Sequence, residues 1–174
     1  SNTASGTESA LAGGNTNTAS GERAFVGAGV TCTASGLDSV VCGGSGNTAS
    51  AEYGSIGGGY GNSVTGQYGS VPGGRDAVAS STDAHALGRG AQASHAGAVV
   101  LKDGNTGTQA SSATHELTLR FDGGVRVLCS GGKITQRLGS STSNFAEQLQ
   151  GQQSTTDASA QTVNFAAIPS GQDC

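Results

Sequence analysis

A repeat of fifteen residues runs through the first half of the chain and constrains its fold more than any other feature. In register, the copies share the frame x-x-N-T-A-S-G-x-x-S-x-V-x-G-G, from an incomplete first copy to the degraded copy RDAVASSTDAHALGR. A fixed short period of this kind is typical of a solenoid, in which each repeat buries its apolar face only against its neighbours. The pattern therefore predicts a solenoid over residues 1–89.

Two short runs in each copy alternate between inward and outward residue types, and this period of two indicates strands. The first run carries an Asn column, made of Asn2, Asn17, Asn47 and Asn62, with Cys32 and Ala77 as exceptions. The second run carries an apolar column that includes Leu11, Val26, Val41, Ile56 and Val71. Glycines close the runs where the backbone must turn, among them Gly13, Gly43, Gly58 and Gly73. One coil is expected to hold two strands of about five residues and two tight turns.

The predicted coil has a very small interior. Stacking places equivalent residues about 4.8 Å apart, a spacing at which identical Asn side chains can form a hydrogen-bonded ladder. The core is one Ala and one Val wide, which is too thin to offset an ordering cost of about 1–2 kcal/mol per residue. The remaining apolar residues Phe25, Val40, Tyr53, Tyr60 and Tyr68 would then be buried between chains. We therefore predict an obligate oligomer of this chain.

Composition excludes several classes of protein. Gly accounts for 31 of the 174 residues, which can indicate a disordered linker, but the repeated placement of Val or Leu in one column argues against that. A net charge of −4 provides no basic surface, so no nucleic-acid partner is expected. No apolar run approaches the roughly 18 residues of a membrane span, and no signal-peptide pattern is present. We expect no membrane contact, and we interpret the chain as a fragment of a longer protein.

The sequence after the repeats predicts three further segments. We expect repeats over residues 1–95, a small β-rich closing module over 96–132, a connector with a short helix over 133–160, and the start of another β-domain over 161–174. Asp122–Gly124, between the alternating runs 116–121 and 125–129, is typical of a hairpin turn. Asn144 with Glu147 three residues later resembles a capping pair at the start of the helix.

The motifs S-x-V-x-G and N-x-A-x-G resemble the head repeat of YadA-like trimeric autotransporter adhesins, and Ser39–Gly43 is similar to the S-V-A-I-G strand of that family. Ala84–Ala98 resembles the segment that closes such arrays in bacterial surface proteins and phage tail fibres, and Leu117–Val127 resembles the strand pair that follows. The family's repeat is commonly one residue shorter. The resemblance covers about residues 1–130. It implies an all-β fold, a left-handed parallel β-roll of about six coils, with three rolls around one axis.

Four cysteines and three histidines are the candidates for special chemistry. Cys32, Cys42, Cys129 and Cys174 lack the close pairs of a zinc site, and buried thiols, a disulfide or inter-chain link, and metal ligation all remain open. The histidines His85, His95 and His115 are too far apart in the pattern to share one site within a chain. His95 is the candidate axial or junction residue: it would either gather around an ion in a trimer or bond to the backbone.

The sequence predicts no enzymatic activity. Asp83 and His85 with one of the many serines could be drawn as a triad, but no G-x-S-x-G elbow follows a strand. A polysaccharide-degrading tail spike needs paired carboxylates in a groove, and the first 74 residues contain few charged residues: Glu8, Glu22, Arg23, Asp38 and Glu52. We expect no catalytic residue, no cofactor and no metal site.

The resemblance implies an extracellular, homotrimeric attachment fibre, on a bacterial cell surface or in a phage tail. Its role would be structural and adhesive, and its partners would be two further copies of the chain and a host-cell receptor, glycan or matrix protein. Two alternatives are a tail spike and an ice-binding solenoid. The second rests on Thr16 with Thr18 and Thr31 with Thr33, which form T-x-T pairs at the coil spacing.

Overall fold

The computed structural model describes residues 1–104, 107–123 and 125, which form a parallel β-solenoid that contains strands and no helix within these residues. Strands alternate along the chain between two eight-stranded parallel sheets, named here sheet A and sheet B. Sheet A is formed by β1 (Thr3–Ala4), β3 (Thr18–Ala19), β5 (Thr33–Ala34), β7 (Thr48–Ala49), β9 (Ser63–Val64), β11 (Val78–Ala79), β13 (Ala91–Ala93) and β15 (Gln109–Ala110). Sheet B is formed by β2 (Ala10–Leu11), β4 (Phe25–Val26), β6 (Val40–Val41), β8 (Ser55–Ile56), β10 (Ser70–Gly73), β12 (His85–Leu87), β14 (Val99–Lys102) and β16 (Leu117–Arg120).

The predicted all-β solenoid is confirmed, but it has eight turns where about six were expected. Equivalent residues stay fifteen apart through most of the stack, as in the pairing of Thr18 with Thr33. The interval then becomes shorter, since Val78 pairs with Gln92, and afterwards longer, since Gln92 pairs with Ala110. The last four strands therefore extend both sheets although the sequence repeat has faded.

The strands are shorter than the expected five residues, and most contain two. Each full coil of the regular region has a third pairing position, a parallel bridge column that joins Asn15, Val30, Ser45, Tyr60 and Arg75. Positive-φ residues interrupt the extended backbone on both sides of the first strand of the coil, at Thr16 (φ 58°) and Arg23 (φ 53°) in the second turn. Because fifteen residues must close a complete circuit, these corners limit the length of each strand.

The core is a narrow stack of Ala and β-branched side chains from the two sheets, including Ala19, Val26, Ala34 and Val41, all fully buried. One larger residue in the column of small core residues is accommodated by glycines on the facing sheet. Val64 takes the place that Ala holds in neighbouring turns, and the facing positions are Gly54 and Gly69. A Cβ at either glycine would lie 3.0 or 2.9 Å from Val64 Cγ1, so the larger side chain fills the space that the glycines leave.

The eighth turn replaces the apolar core columns with polar residues. Pairing of Val100 with Thr118 and of Gln92 with Ala110 places Ser111, Glu116 and Thr118 where the seventh turn has Ala93, Ala98 and Val100. Glu116 accepts hydrogen bonds from the N–H groups of Ser112 and Ala113 at 2.6 and 2.8 Å and from the hydroxyls of Ser112 and Thr118. These bonds lower the pKa of Glu116 to about 2, the Thr118 hydroxyl contributing most. Among the described residues, the apolar stack thus gives way in the eighth turn to an ionised, hydrogen-bonded carboxylate.

Strand β16 pairs in parallel with β14. The second strand of the predicted hairpin, apart from Val125, and the segments 133–160 and 161–174 lie outside the described residues.

Candidate binding surface

The Asn column stabilises the turns of the solenoid through the backbone. Asn17 donates from Nδ2 to the carbonyls of Gly13 and Gly29 at 2.9 and 2.8 Å, and its Oδ1 accepts from the N–H of Cys32 at 2.8 Å. Asn47 and Asn62 make the same three bonds in their own turns. Each Asn therefore joins its own turn to the next one, and the amides bond to backbone groups rather than to one another as a ladder would require.

The glycine three residues before each of Asn17, Asn47 and Asn62 has a left-handed conformation. Gly14, Gly44 and Gly59 have φ of 89°, 91° and 97°. The corresponding Gly29 and Gly74, which precede Cys32 and Ala77, have φ of 155° and 140°. The Asn amide and the turn shape therefore change together, because Nδ2 bonds to the carbonyl of the peptide that this φ rotates. The predicted repeat residues thus have structural roles. Asn2 bonds to the second turn, and the core is formed by Val26, Val41, Ile56 and Val71. The acceptor carbonyls belong to Gly13, Gly43 and Gly58, while Gly73 precedes the turn without Asn.

The outer face of sheet B carries apolar side chains in the second and third turns and again in the sixth to eighth turns, whereas Ser55, Ser70 and His85 occupy the same outward column between them. Outward positions on its strands carry Phe25, Val40, Leu87, Val99, Leu101, Leu117 and Leu119. Phe25, Leu87 and Leu117 are 38%, 40% and 61% exposed. Nothing within the described residues covers this face, so it is a candidate interface for another protein chain.

The outer face of sheet A has a different chemistry. Its two outward columns carry hydroxyl side chains in the first five turns, with Thr18, Thr33 and Thr48 in one column and Ser20 and Ser35 in the other. Thr16 and Thr31 lie outside these strands at a positive-φ corner. The predicted T-x-T pairs therefore span a corner, while the flat array consists of Thr and Ser two residues apart.

One corner between the two sheets carries a column of polar and aromatic residues with positive φ: Glu8, Arg23, Asp38, Tyr53, Tyr68 and Asp83. This set is named here the corner column. Arg23 donates to both carboxylate oxygens of Asp38 at 2.7 Å and also pairs with Glu22. The hydrogen bonds between the two side chains lower the pKa of Asp38 and raise the pKa of Arg23.

Tyr53 and Tyr68 form a parallel stack within the corner column. Their ring centroids lie 5.0 Å apart with an angle of 2° between the planes, and they are 42% and 49% exposed. Beside them, Gln67 Nε2 donates to Glu52 Oε2 at 2.8 Å. The charge of Glu52 is the main cause of a raised Tyr53 pKa. The sequence predicted these tyrosines only as surface for burial between chains, although their shared column at a spacing of fifteen is a signal for a stack.

The histidines do not converge. His95 is half-buried, and its Nδ1 is hydrogen-bonded to the Ser111 hydroxyl at 2.9 Å. The oxygen of that hydroxyl accepts a hydrogen bond from the N–H of Ser94 at 3.0 Å. His85 and His115 lie in other turns of the solenoid and are exposed. Within the described residues, no group of three His, Cys, Asp or Glu side chains is arranged to hold a metal ion. Asp83 and His85 share no hydrogen bond in this part of the chain.

Two of the four cysteines lie in the described part of the chain. Cys32 is a buried free thiol in the Asn column, with Sγ 3.5 Å from the carbonyl oxygen of Gly44, and Cys42 is an exposed free thiol on the outer face of sheet B. Cys129 and Cys174 lie outside the described residues.

Over residues 1–104, 107–123 and 125, no helix is long and apolar enough to cross a membrane. No family model matches the chain, and neither a curated protein nor a solved structure has significant similarity to it.

Proposed function

We propose that the chain is a structural and adhesive segment of an extracellular, homotrimeric attachment fibre, of the kind found on bacterial surfaces or in phage tails, without enzymatic activity. The observation that carries this proposal is the apolar outer face of sheet B. A self-contained solenoid has no need of outward Leu side chains in three consecutive turns, Leu87, Leu101 and Leu119, whereas chains packed side by side would bury them.

The thin core supports association in the same way. The second, third and fourth turns each bury Ala and one larger aliphatic side chain, such as Val26 or Val41, and the apolar residues buried in the sixth turn are all Ala. Burial of a Leu side chain contributes about 1.5–3 kcal/mol, so burying Leu87, Leu101 and Leu119 between copies would add stabilisation that a single solenoid lacks. The hydroxyl-rich face of sheet A would then remain hydrated, and the corner column would be available to partners.

Light scattering on the 174-residue chain tests the assembly. We expect a mass of three chains for the native sequence, and dissociation when Leu87→Lys places a charge on the outer face of sheet B. Ser80→Lys is the matched control, because Ser80 is exposed in the same turn but lies next to sheet A. A monomeric native chain, or dissociation by Ser80→Lys alone, would contradict the proposal. Binding of the trimer to host cells, measured with labelled protein, tests the adhesive role.

Ice binding is a second candidate, favoured by the flat hydroxyl array on sheet A. Strand neighbours lie about 4.8 Å apart, and outward residues along one strand lie about 6.6 Å apart, which makes a regular two-dimensional lattice of Thr and Ser oxygens. Thermal hysteresis that Thr33→Lys abolishes and Leu87→Lys preserves would support this function. A solution that freezes without hysteresis would exclude it.

A further inference from the structure

The corner column changes character at two consecutive turns. In the first six turns the position carries a charged residue four times, and at the fourth and fifth rungs it carries Tyr53 and Tyr68. Both tyrosines have left-handed φ, 57° and 59°, a conformation that is unfavourable for bulky side chains and is tolerated best by Gly, Asn and Asp. The corner imposes this φ on every rung, from Glu8 at 57° to Asp83 at 54°, so the two tyrosine rungs differ from the others only in placing aromatic rings there.

The surroundings of the tyrosine stack are acidic. Asp38 occupies the preceding rung of the corner column and Asp83 the following rung, and Glu52 lies beside Tyr53. Asp38 is already neutralised by Arg23. Asp83 is exposed and forms no side-chain hydrogen bond or ion pair with any described residue. Two carboxylates therefore flank the stack without a cationic partner among the described residues: Glu52 beside Tyr53, and Asp83 on the rung after Tyr68.

The same column already contains a bound guanidinium group. Arg23 on one rung donates two hydrogen bonds at 2.7 Å to Asp38 on the next rung. Tyr68 and Asp83 occupy two rungs with the same relation, but here an aromatic ring replaces the arginine. One face of the Tyr68 ring stacks on Tyr53, and Tyr68 remains 49% exposed. A cation that stacks on the exposed part of the ring would lie beside the rung that carries Asp83.

We propose that Tyr68 and Asp83, supported by Tyr53, bind the side chain of an arginine in a basic segment of a partner protein. The ring would contribute a cation–π contact and Asp83 a charge-assisted hydrogen bond of the bidentate type that guanidinium groups favour. The biological role of the site rests on the proposed attachment function, since a trimer would present three such sites and gain avidity from them.

Titration of the chain with the short peptide Gly-Arg-Gly-Arg-Gly, followed by NMR shifts of the tyrosine rings, tests the proposal. We expect saturable shifts at Tyr68, weakened affinity as salt rises, and no binding of the same peptide with citrulline in place of arginine. Tyr68→Leu and Asp83→Asn should each reduce the affinity roughly two- to fivefold, the range for one exposed cation–π or ionic contact. Tyr68→Phe should retain most of the affinity, because the ring face is preserved.

Tyr60→Leu is the matched control, since Tyr60 is also exposed but lies in the bridge column. Equal binding of the citrulline peptide, an equal loss of affinity in Tyr60→Leu, or Tyr68-dependent binding of a neutral oligosaccharide without arginine binding would overturn the proposal. Circular dichroism of each variant verifies folding. Light scattering on the same samples separates the two proposals: a trimer that does not bind arginine refutes only this site, and a monomer that binds it refutes only the assembly.

Discussion

Replacing Asn47 with Ala tests the role of the Asn column, whose side-chain amides join adjacent turns through hydrogen bonds to the backbone. The side chain is fully buried and makes three hydrogen bonds: Nδ2 to the carbonyls of Gly43 and Gly59 at 2.8 and 3.1 Å, and Oδ1 from the N–H of Asn62 at 2.9 Å. Each such bond contributes about 0.5–1.5 kcal/mol net, and a buried group left without a partner costs about 1–3 kcal/mol. We therefore expect Asn47→Ala to lower the free energy of unfolding by roughly 2–4 kcal/mol.

The chain offers a matched control at Cys32. This residue is also fully buried in the same column but makes only long sulfur contacts of 3.5–3.8 Å. Cys32→Ala should therefore cost only about 1 kcal/mol, the value for losing a small buried group. The reverse change, Cys32→Asn, should stabilise the chain, because the N–H of Asn47 has no acceptor among the described residues and would gain Oδ1.

Urea denaturation at one fixed protein concentration measures the global effect, and amide hydrogen exchange measures the local one. The Asn62 amide should exchange more than tenfold faster in Asn47→Ala, and the Asn47 amide should exchange more slowly in Cys32→Asn. The reasoning is refuted if Asn47→Ala and Cys32→Ala destabilise the chain equally, or if exchange at Asn62 does not change.

Three further predictions concern the core and the last turn. Ser39→Ala should stabilise the chain by about 1 kcal/mol in urea denaturation, because the buried Ser39 hydroxyl has no partner among the described residues and the equivalent residue one turn earlier is Ala24. Gly54→Ala should destabilise the native chain but be tolerated with Val64→Ala, giving a coupling of about 0.5–3 kcal/mol in a double-mutant cycle; strict additivity would contradict the packing argument. Since the Glu116 pKa is depressed from 4.5 to about 2, its contribution is present above pH 4.5 and is lost as the pH falls through 2; the protection factors of amides in the last turn should fall over that range in the native chain, and Glu116→Gln should remove this pH dependence.

Much of the solenoid follows from local sequence. Alternation around Ala19 and Val26 predicts which residues face inward, and both are fully buried. The period of fifteen predicts the pairing of Thr18 with Thr33. The last two turns were not predicted as coils because their intervals differ from fifteen, as in the pairing of Val99 with Leu117. A parallel sheet accommodates loops of different length between its strands, whereas loops of different length destroy the fixed period by which a repeat is recognised in the sequence.

The candidate surfaces depended on contacts across turns. The sequence identified Tyr53 and Tyr68 as apolar surface, but their stacking requires two coils in register at one corner. It also identified Glu116 as a strand residue, whereas its bonds to Ser112 and Thr118 arise only where the last turn closes. A side chain's partner is fixed by what lies one coil away, and short-range propensity carries no information about that neighbour.

The sequence by itself determined that this chain forms an all-β parallel solenoid with a core of small aliphatic residues, because period and alternation are properties of the local backbone. Only the tertiary structure decided that Asn17, Asn47 and Asn62 bond to the backbone of adjacent turns. It also decided that the stacked Thr18, Thr33 and Thr48 lie on one outer face while Leu87, Leu101 and Leu119 lie on the other. Those outcomes depend on where the corners fall in each circuit, since a corner determines which of two successive side chains belongs to a flat face.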